Sequence, residues 1–361
     1  MSSIGYRPEI DGFRALAVIP VILFHLKWAG MRGGYLGVDV FFVISGYLIT
    51  SIVTHELAAG TFTFRGFWAR RIRRIFPALL VMVVTTLAVS SRFVFKGDQS
   101  AIGEQTLAVL FSVANLHFRK NIGDYWGADA SHSPVLHTWS LSVEEQFYLF
   151  FPALIWLVMK FRRRWLPGVI LCIAVASLGL FLRETKSHPT IAFYLLRTRA
   201  WELATGCLLA VVCRGREKIP TAATSENENI LGLAGLAMVI ASYFLVTSLD
   251  GGLIIPVFGA ALVIAFGQTG ICRTLLSQRP LVSVGKISYS LYLWHWPVIV
   301  FAERFGVTNS HFHSSLLCAL MLVLATASYV FIERPTRRRP RVIPLIVAAY
   351  PLVWGFAAHL A

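Results

Sequence analysis

The chain has 361 residues, of which 56% are hydrophobic and only 14% are charged, and this excludes an ordinary soluble domain. Long apolar runs recur along the whole length, so the sequence predicts an all-α, polytopic integral membrane protein. The formal net charge of +15 would suit nucleic acid, but the basic residues cluster between the apolar runs, and we expect no nucleic-acid partner. No basic region and no small-residue cleavage site precede Tyr6, so no cleavable signal peptide is expected.

Eleven apolar segments approach the roughly 20 residues that a helix needs to cross a bilayer. The predicted spans are 12–30, 36–58, 77–95, 142–160, 167–184, 191–213, 229–248, 253–270, 285–303, 314–333 and 341–360. With the N-terminus inside, the inner loops carry many more Lys and Arg residues than the outer loops, as the positive-inside rule requires. We therefore predict a cytoplasmic N-terminus and a periplasmic C-terminus.

The first span places Asp11 and Arg14 near its start and His25 deep within it. On an α-helix, residues eleven apart are about 20° from full turns, so Arg14 and His25 share a face and lie about 16 Å apart. Asp11 is about 21 Å from His25, and Pro20 between them can kink the helix. An ionisable stripe in a membrane helix is costly and usually functional. His25 can act as a general base or a covalent acyl carrier, or it can be a packed, hydrogen-bonded residue.

A dense basic cluster precedes the third span. Such a cluster can orient the protein and contact anionic lipids, or it can bind phosphate through guanidinium forks. Its four basic residues are all Arg rather than Lys, which favours phosphate recognition slightly. The cluster consists of Arg70, Arg71, Arg73 and Arg74.

The residues between the third and fourth spans, 96–141, form the one large outer loop of this prediction. Segment 101–118 is moderately apolar but contains Glu104, and a span there would move a basic inner loop to the outside. We therefore predict a re-entrant or interfacial segment. The stretch 123–134 is rich in Gly, Asp, Ser and His and predicts a structured lid rather than a helix.

Glu144 and Glu145 begin the fourth span, at the same predicted outer end as His25. One of them could orient the imidazole and stabilise its charged form. Alternatively, both lie in the first turn of a helix that is capped by Ser140 or Ser142, where the helix dipole favours carboxylates. The two roles are compatible.

Polar residues also lie inside the second, sixth and ninth spans. Asp39 is a carboxylate near the outer end of the second span, whose glycines allow close helix packing. Arg199 and Glu202 can pair at i,i+3 spacing, or they can line a polar cavity if their charges are not compensated. Tyr292 and His295 belong to an aromatic stretch that is either core packing or a pore wall.

The five cysteines lack the spacing of metal ligands and of CxxC motifs, and most fall within or near apolar runs. We therefore expect no metal site and no disulfide framework, and small apolar packing side chains instead.

Taken together, these stretches resemble the acyltransferase-3 family of integral membrane acyltransferases. The resemblance covers roughly residues 6–335 and implies a ten-helix acyltransferase-3 bundle over 1–335, followed by a linker and an eleventh transmembrane helix over 336–361. The residues that carry it are Arg14 and His25 (Arg-X10-His), 37–46 (GVDVFFVISG), 70–74 (RRIRR), 137–146 (HTWSLSVEEQ) and 288–295 (SYSLYLWH).

Within the family the chain is most similar to bacterial O-acetyltransferases that modify the O-antigen of lipopolysaccharide. This similarity implies an enzyme of the bacterial inner membrane that takes acetyl from cytoplasmic acetyl-CoA and delivers it to a lipid-linked or lipopolysaccharide sugar. It also implies an outer SGNH domain after the eleventh helix. This sequence carries no such domain, which indicates a shortened chain.

The resemblance also implies roles for individual residues, with no metal among the ligands. The expected catalytic residues are His25, Glu144, Asp11 and Arg14. The expected coenzyme-binding residues are Arg14, Arg70, Arg71, Arg73 and Arg74. The expected channel or acceptor side comprises Asp39, Glu145, Trp139, Arg199, Tyr292 and His295.

A secondary transporter of an anionic solute is the competing interpretation, because the intramembrane charges of Asp39, Arg197, Arg199 and Glu202 also suit that function. The sequence shows no convincing inverted repeat, which counts mildly against a transporter. A purely structural membrane protein would leave the ionisable stripe of the first span unexplained. Acetyl-CoA binding that depends on the basic cluster would separate the enzyme from both alternatives.

Overall fold

The computed structural model describes residues 5–122, 125, 132–213, 226–247, 252–307, 310–339 and 342–360. Within these ranges the chain is helical and contains no strand, which confirms the predicted all-α class. The helices are α1 Pro8–His25, α2 Gly37–Ala58, α3 Phe64–Phe93, α4 Lys96–Leu110, α5 Ala114–Asn121, α6 Thr138–Arg162, α7 Leu166–Ser187, α8 Pro189–Tyr194, α9 Leu196–Val212, α10 Glu226–Leu245, α11 Ile254–Phe266, α12 Gly270–Leu276, α13 Arg279–Arg304, α14 His311–Ala327, α15 Arg334–Arg338 and α16 Val342–Leu360. A π-helical turn, Ser328–Glu333, joins α14 to α15.

Each predicted span overlaps at least one of these helices, and the chain is a multi-pass membrane protein. Within the described residues, six helical segments are long and apolar enough to cross a membrane, or up to seven if the pair α11–α12, bent by 105°, counts as one span. One of the six, Thr138–Ser187, covers both the fourth and the fifth predicted spans. The count of ten family helices plus one therefore stays a prediction.

The helices form two compact units. The first unit comprises Met1–Phe62 and Gln146–Ser288, and the second comprises Thr63–Glu145 and Tyr289–Ala361. Of the three boundaries, one falls between α2 and α3, and the other two fall inside α6 and α13, so each of these two helices contributes one part to each unit.

In the first unit, small residues let α2 and α9 approach closely. A Cβ on Gly46 of α2 would overlap the carbonyl of Leu203 in α9, and a Cβ on Gly206 of α9 would overlap the carbonyl of Val43 in α2. This confirms that glycine in the second span serves close helix packing, which in a membrane replaces much of the hydrophobic driving force.

We expect Gly46→Ala to lower the thermal stability of the protein, because the added methyl group must push two helix backbones apart. Overpacking of this kind costs about 1–3 kcal/mol. The matched control is Gly179→Ala in α7, where a Cβ meets no atom within 4 Å, so its stability should be unchanged or slightly higher. Thermal unfolding of both variants in the same detergent tests this, and equal melting temperatures would contradict the close packing.

In the second unit, α16 packs against α3 and α4, and α15 packs against α3. The first part of the predicted outer loop is helical, because α4 and α5 follow each other with a break at Ser112. The location of 101–118 at the membrane surface or within it stays a prediction. The predicted lid, 123–134, lies largely outside the described residues.

Candidate functional site

The ionisable residues of the first span lie on one helix, as predicted. α1 is continuous through Pro20, so Asp11 and Arg14 near its start and His25 at its end belong to the same rigid element. Asp11 Oδ1 lies 3.6 Å from Arg14 Nη1, and the Tyr6 hydroxyl donates a 2.7 Å hydrogen bond to Asp11 Oδ2. The start of α1 therefore carries an ion pair with a fixed carboxylate.

His25 is the last residue of α1, so it lies at a helix end, but this helix ends five residues before the predicted span 12–30 does. The helix ends because Lys27 takes a left-handed conformation with φ of 56°. The Lys27 N–H donates to the Phe24 carbonyl and the Trp28 N–H donates to the Leu23 carbonyl, both at 2.9 Å. This is the hydrogen-bond pattern of a Schellman cap. The partly exposed imidazole of His25 therefore sits directly at a helix end.

A buried ion triad joins α2 to α9 within the first unit. Arg199 Nη2 lies 2.6 Å from Asp39 Oδ1, and Arg199 Nη1 lies 3.2 Å from Glu202 Oε1. All three side chains are at most 2% exposed. The guanidinium also lies over the rings of Phe42 and Phe193, at 5.7 and 5.8 Å from their centroids. The predicted pairing of Arg199 with Glu202 is confirmed, and Asp39 is a further partner that the sequence did not indicate.

The triad bears on the transporter interpretation, which depended on uncompensated charges in the membrane. Arg199 is compensated by two carboxylates, and Arg197 on the same helix is exposed. Arg199 therefore does not supply the uncompensated positive charge that a pathway for an anionic solute would need. The predicted channel or acceptor role of Asp39 and Arg199 stays a prediction.

In the second unit, α3 carries the whole basic cluster. The helix begins after Thr63, whose hydroxyl accepts a 3.1 Å hydrogen bond from the Gly66 N–H, so the cluster lies on the third span's own helix rather than in a loop before it. α3 itself contains no Asp or Glu, so no carboxylate on this helix compensates its charge. The partly exposed members of the cluster are Arg70, Arg71, Arg73 and Arg74.

α15 brings a further arginine to this basic cluster. The Thr336 hydroxyl donates a 3.2 Å hydrogen bond to the Arg73 carbonyl, and Arg337 is close enough to Arg74 for the two charges to interact. Arg337 Nη2 pairs with the buried Glu333 at 2.5 Å. Sequence reasoning missed Glu333 and Arg337, although their i,i+4 spacing was a usable signal.

The two glutamates of the fourth span lie in the second turn of α6, because this helix begins at Thr138. The interpretation of Glu144 and Glu145 as first-turn residues is therefore wrong. Ser140 and Ser142 lie inside the helix and do not cap it. The pairing of one glutamate with the imidazole of α1 stays a prediction.

Glu145 has a partner in the predicted outer loop that sequence reasoning missed. Its carboxylate accepts a hydrogen bond from the hydroxyl of Ser112, at the break between α4 and α5. One turn earlier on α6, Ser142 Oγ accepts a 3.2 Å hydrogen bond from the Ala114 N–H. Within the described residues, Oε1 of Glu145 is buried and has no hydrogen-bond partner.

α13 contributes a hydrogen-bonded cluster to the second unit. The Tyr292 hydroxyl lies 2.7 Å from Ser140 Oγ and donates to the His137 carbonyl at 2.9 Å. His295 Nδ1 lies 2.5 Å from the Tyr292 carbonyl, and its ring is 5.4 Å from that of His137. Trp139, beside this cluster in sequence, is buried. The contacts of Tyr292 and His295 are therefore those of packed, hydrogen-bonded residues. A pore-wall role stays a prediction.

The described part of the chain contains no group of three or more His, Cys, Asp or Glu side chains that could hold a metal ion. The arginines of α3 and α15 form a cationic group whose guanidinium forks match phosphate oxygens. The arrangement can therefore bind an anionic cofactor, while the ionisable groups of α1 can carry proton or acyl transfer.

Comparison with known proteins identifies the family of the chain. A family model described as "Acyltransferase domain" matches residues 7–333. The chain is 35% identical to "O-acetyltransferase OatA" of Staphylococcus aureus over 94% of its own length and 58% of the relative's. It is 32% identical to "Peptidoglycan O-acetyltransferase OatA" of Listeria monocytogenes, over 92% and 56% of the two lengths. The chain thus spans a little over half the length of these relatives, and no solved structure matches it. A match across nearly the whole chain means that the protein belongs to the acyltransferase-3 family.

Proposed function

We propose that this chain is the membrane domain of an O-acetyltransferase. It would take acetyl from cytoplasmic acetyl-CoA and move it across the bacterial inner membrane for O-acetylation of a cell-envelope polysaccharide. The family match and the names of the relatives support the reaction class. The donor, the acceptor and the orientation in the membrane are parts of the proposal.

The observation that carries the proposal is the continuous helix α1. It holds the Asp11–Arg14 pair at one end and His25 at the other. A rise of 1.5 Å per residue separates Arg14 from His25 by about 16 Å, and Asp11 from His25 by about 21 Å. An extended pantetheine arm is of similar length. A coenzyme held near Arg14 could therefore present its thioester to His25.

Two routes use His25, and both release coenzyme A. As an acyl carrier, an imidazole nitrogen attacks the thioester carbonyl, the carbon–sulfur bond breaks, and the acetyl group later passes to a sugar hydroxyl. As a general base, the imidazole takes the proton of the sugar hydroxyl while the hydroxyl oxygen attacks the thioester carbonyl. The departing thiolate then receives a proton. Glu144 is our proposed partner for the charged imidazole in either route.

The acceptor that we expect first is peptidoglycan, because the name of the Listeria monocytogenes relative states that substrate. The O-antigen of lipopolysaccharide, which the sequence motifs implied, is the second candidate. A further outer domain of the SGNH type in the complete protein is the partner that we expect for this chain.

The test uses the purified chain in lipid nanodiscs with acetyl-CoA labelled in the acetyl group. We expect acetyl-CoA to bind and coenzyme A to be released, with label passing to added peptidoglycan fragments. Label on O-antigen fragments instead would support the proposed O-acetyltransferase activity but identify O-antigen, not peptidoglycan, as the acceptor. If acetyl-CoA neither binds nor loses its acetyl group, the proposed function is wrong.

The basic cluster of α3 provides a separate prediction. We expect Arg71→Gln and Arg73→Gln each to weaken acetyl-CoA binding about tenfold, because a charge-assisted hydrogen bond to phosphate is worth about 1.5–3 kcal/mol. Arg92→Gln, an exposed arginine at the other end of the same helix, is the matched control and should bind as the wild type does. Calorimetric titration measures the three affinities. Equal losses of affinity in all three variants would show that acetyl-CoA binding depends on the total positive charge of the protein and not on this cluster.

A further inference from the structure

The break between α4 and α5 is a strained elbow with a side-chain contact to Glu145. Ser112 has φ of 56°, a left-handed conformation that residues other than glycine, asparagine and aspartate rarely adopt. The Ser112 N–H donates to the Val109 carbonyl and the Val113 N–H donates to the Ala108 carbonyl, so α4 ends in a Schellman cap. Glycine is the usual residue at such a position. A serine there adds strain and retains a hydroxyl, and that hydroxyl is bonded to the Glu145 carboxylate.

α16, which lies beyond the part of the chain that the family model matches, holds the same elbow. The Tyr350 hydroxyl donates a hydrogen bond to the Leu110 carbonyl, which belongs to the last turn of α4 and has no partner within that helix. The Tyr350 ring also meets the Phe111 ring edge-on, with centroids 6.2 Å apart. One side chain of α16 therefore touches the two residues directly before Ser112.

Glu145 is held on one side only. One carboxylate oxygen accepts from Ser112, while Oε1 is buried without a hydrogen-bond partner among the described residues. A buried, unsatisfied carboxylate oxygen is costly, and each such group in a native protein needs an explanation. Ser112 fixes the rotation of the carboxylate, so Oε1 has a defined direction, and a ligand hydroxyl that reached it would satisfy it.

We infer that Ser112 and Tyr350 are positioning residues, which hold Glu145 so that its Oε1 accepts a hydrogen bond from the acceptor sugar hydroxyl. This inference rests on the proposed O-acetyltransferase function and adds an acceptor-binding group to it. Through Tyr350, the helix that follows the acyltransferase domain also acts on the reaction. A shift of α16 would move the elbow and release the carboxylate from its orientation.

Two substitutions at Ser112 separate positioning from stability. Ser112→Gly removes the hydroxyl but relieves the left-handed strain, so stability should stay the same or rise. We nevertheless expect its kcat for acetyl transfer to fall about tenfold or more, as for loss of a hydrogen bond to a charged group. Ser112→Asn tolerates the left-handed conformation and can donate from its amide, so it should recover part of the rate. If Ser112 had only a structural role, the activity of the Ser112 variants would instead rise and fall with their stability.

Tyr350→Phe removes only the hydroxyl that holds the Leu110 carbonyl. We expect faster amide hydrogen exchange over residues 108–116 and a lower kcat, with unchanged acetyl-CoA affinity. In a Glu145→Gln background, Ser112→Gly should have no further effect on kcat, because the two changes remove one interaction. The inference is wrong if the wild type transfers acetyl and Ser112→Gly or Tyr350→Phe matches its rate. If the wild type neither binds nor cleaves acetyl-CoA, the proposed function itself fails, which is a different outcome.

Discussion

Replacing His25 by alanine is expected to abolish acetyl transfer while acetyl-CoA still binds. The imidazole at the end of α1 can accept either a proton or an acetyl group, and in our proposal arginines outside this helix end hold the coenzyme. Loss of a positioned general base lowers rates by about 10²–10⁴-fold, and loss of an acyl carrier removes the route completely. The measurement is coenzyme A release from labelled acetyl-CoA, at a donor concentration at which both the wild type and His25→Ala bind acetyl-CoA.

His188→Ala is the matched control, because His188 follows the end of α7, is largely exposed and pairs with Glu184. It should retain wild-type turnover. Acid quenching during turnover then distinguishes the two routes, since label that stays on the wild-type chain but not on His25→Ala identifies an acyl-histidine. Normal coenzyme A release by His25→Ala would exclude both routes and assign the chemistry to another group of the chain.

The helical class could be predicted from the sequence because an apolar run of about 20 residues in a bilayer must pair its backbone groups internally. A helix is the structure that does this within one segment. Helix ends were predicted less well, since they depend on caps with weak signals. α1 ends at a Schellman cap whose left-handed residue is Lys27 rather than glycine, and the break after α4 uses Ser112 in the same way. The apolar pattern alone extended the first span too far.

The candidate site could be predicted only along single helices. The spacing of Arg14 and His25, or of Arg199 and Glu202, fixes which side chains share a face of a helix. Contacts between distant segments leave no such trace. Asp39 and Arg199 are separated by 160 positions, and the hydrogen bond from Ser112 to Glu145 spans 33. Without the packed structure, each of these residues could be described only as a polar group in or near the membrane.

Replacing Arg199 by methionine is expected to have the largest effect on stability of any single change considered. It leaves the carboxylates of Asp39 and Glu202 side by side in a site where each is at most 1% exposed. Breaking a buried ion network by removing one partner costs about 3–5 kcal/mol, because the remaining charge is uncompensated. Arg197→Met, on the exposed part of the same helix, is the matched control and should change stability by less than about 0.5 kcal/mol. Thermal unfolding in nanodiscs compares them.

A triple variant decides whether the triad is only structural. Arg199→Met combined with Asp39→Leu and Glu202→Met replaces all three charges by apolar side chains, and such replacements are often neutral or stabilising. We expect this variant to recover most of the stability lost by Arg199→Met. If it also recovers acetyl transfer, the triad serves folding, and the predicted channel role of Asp39 and Arg199 is wrong. If it is stable but inactive, the charges take part in the passage of acetyl or of the acceptor. An Arg199→Met protein as stable as Arg197→Met would contradict the buried network itself.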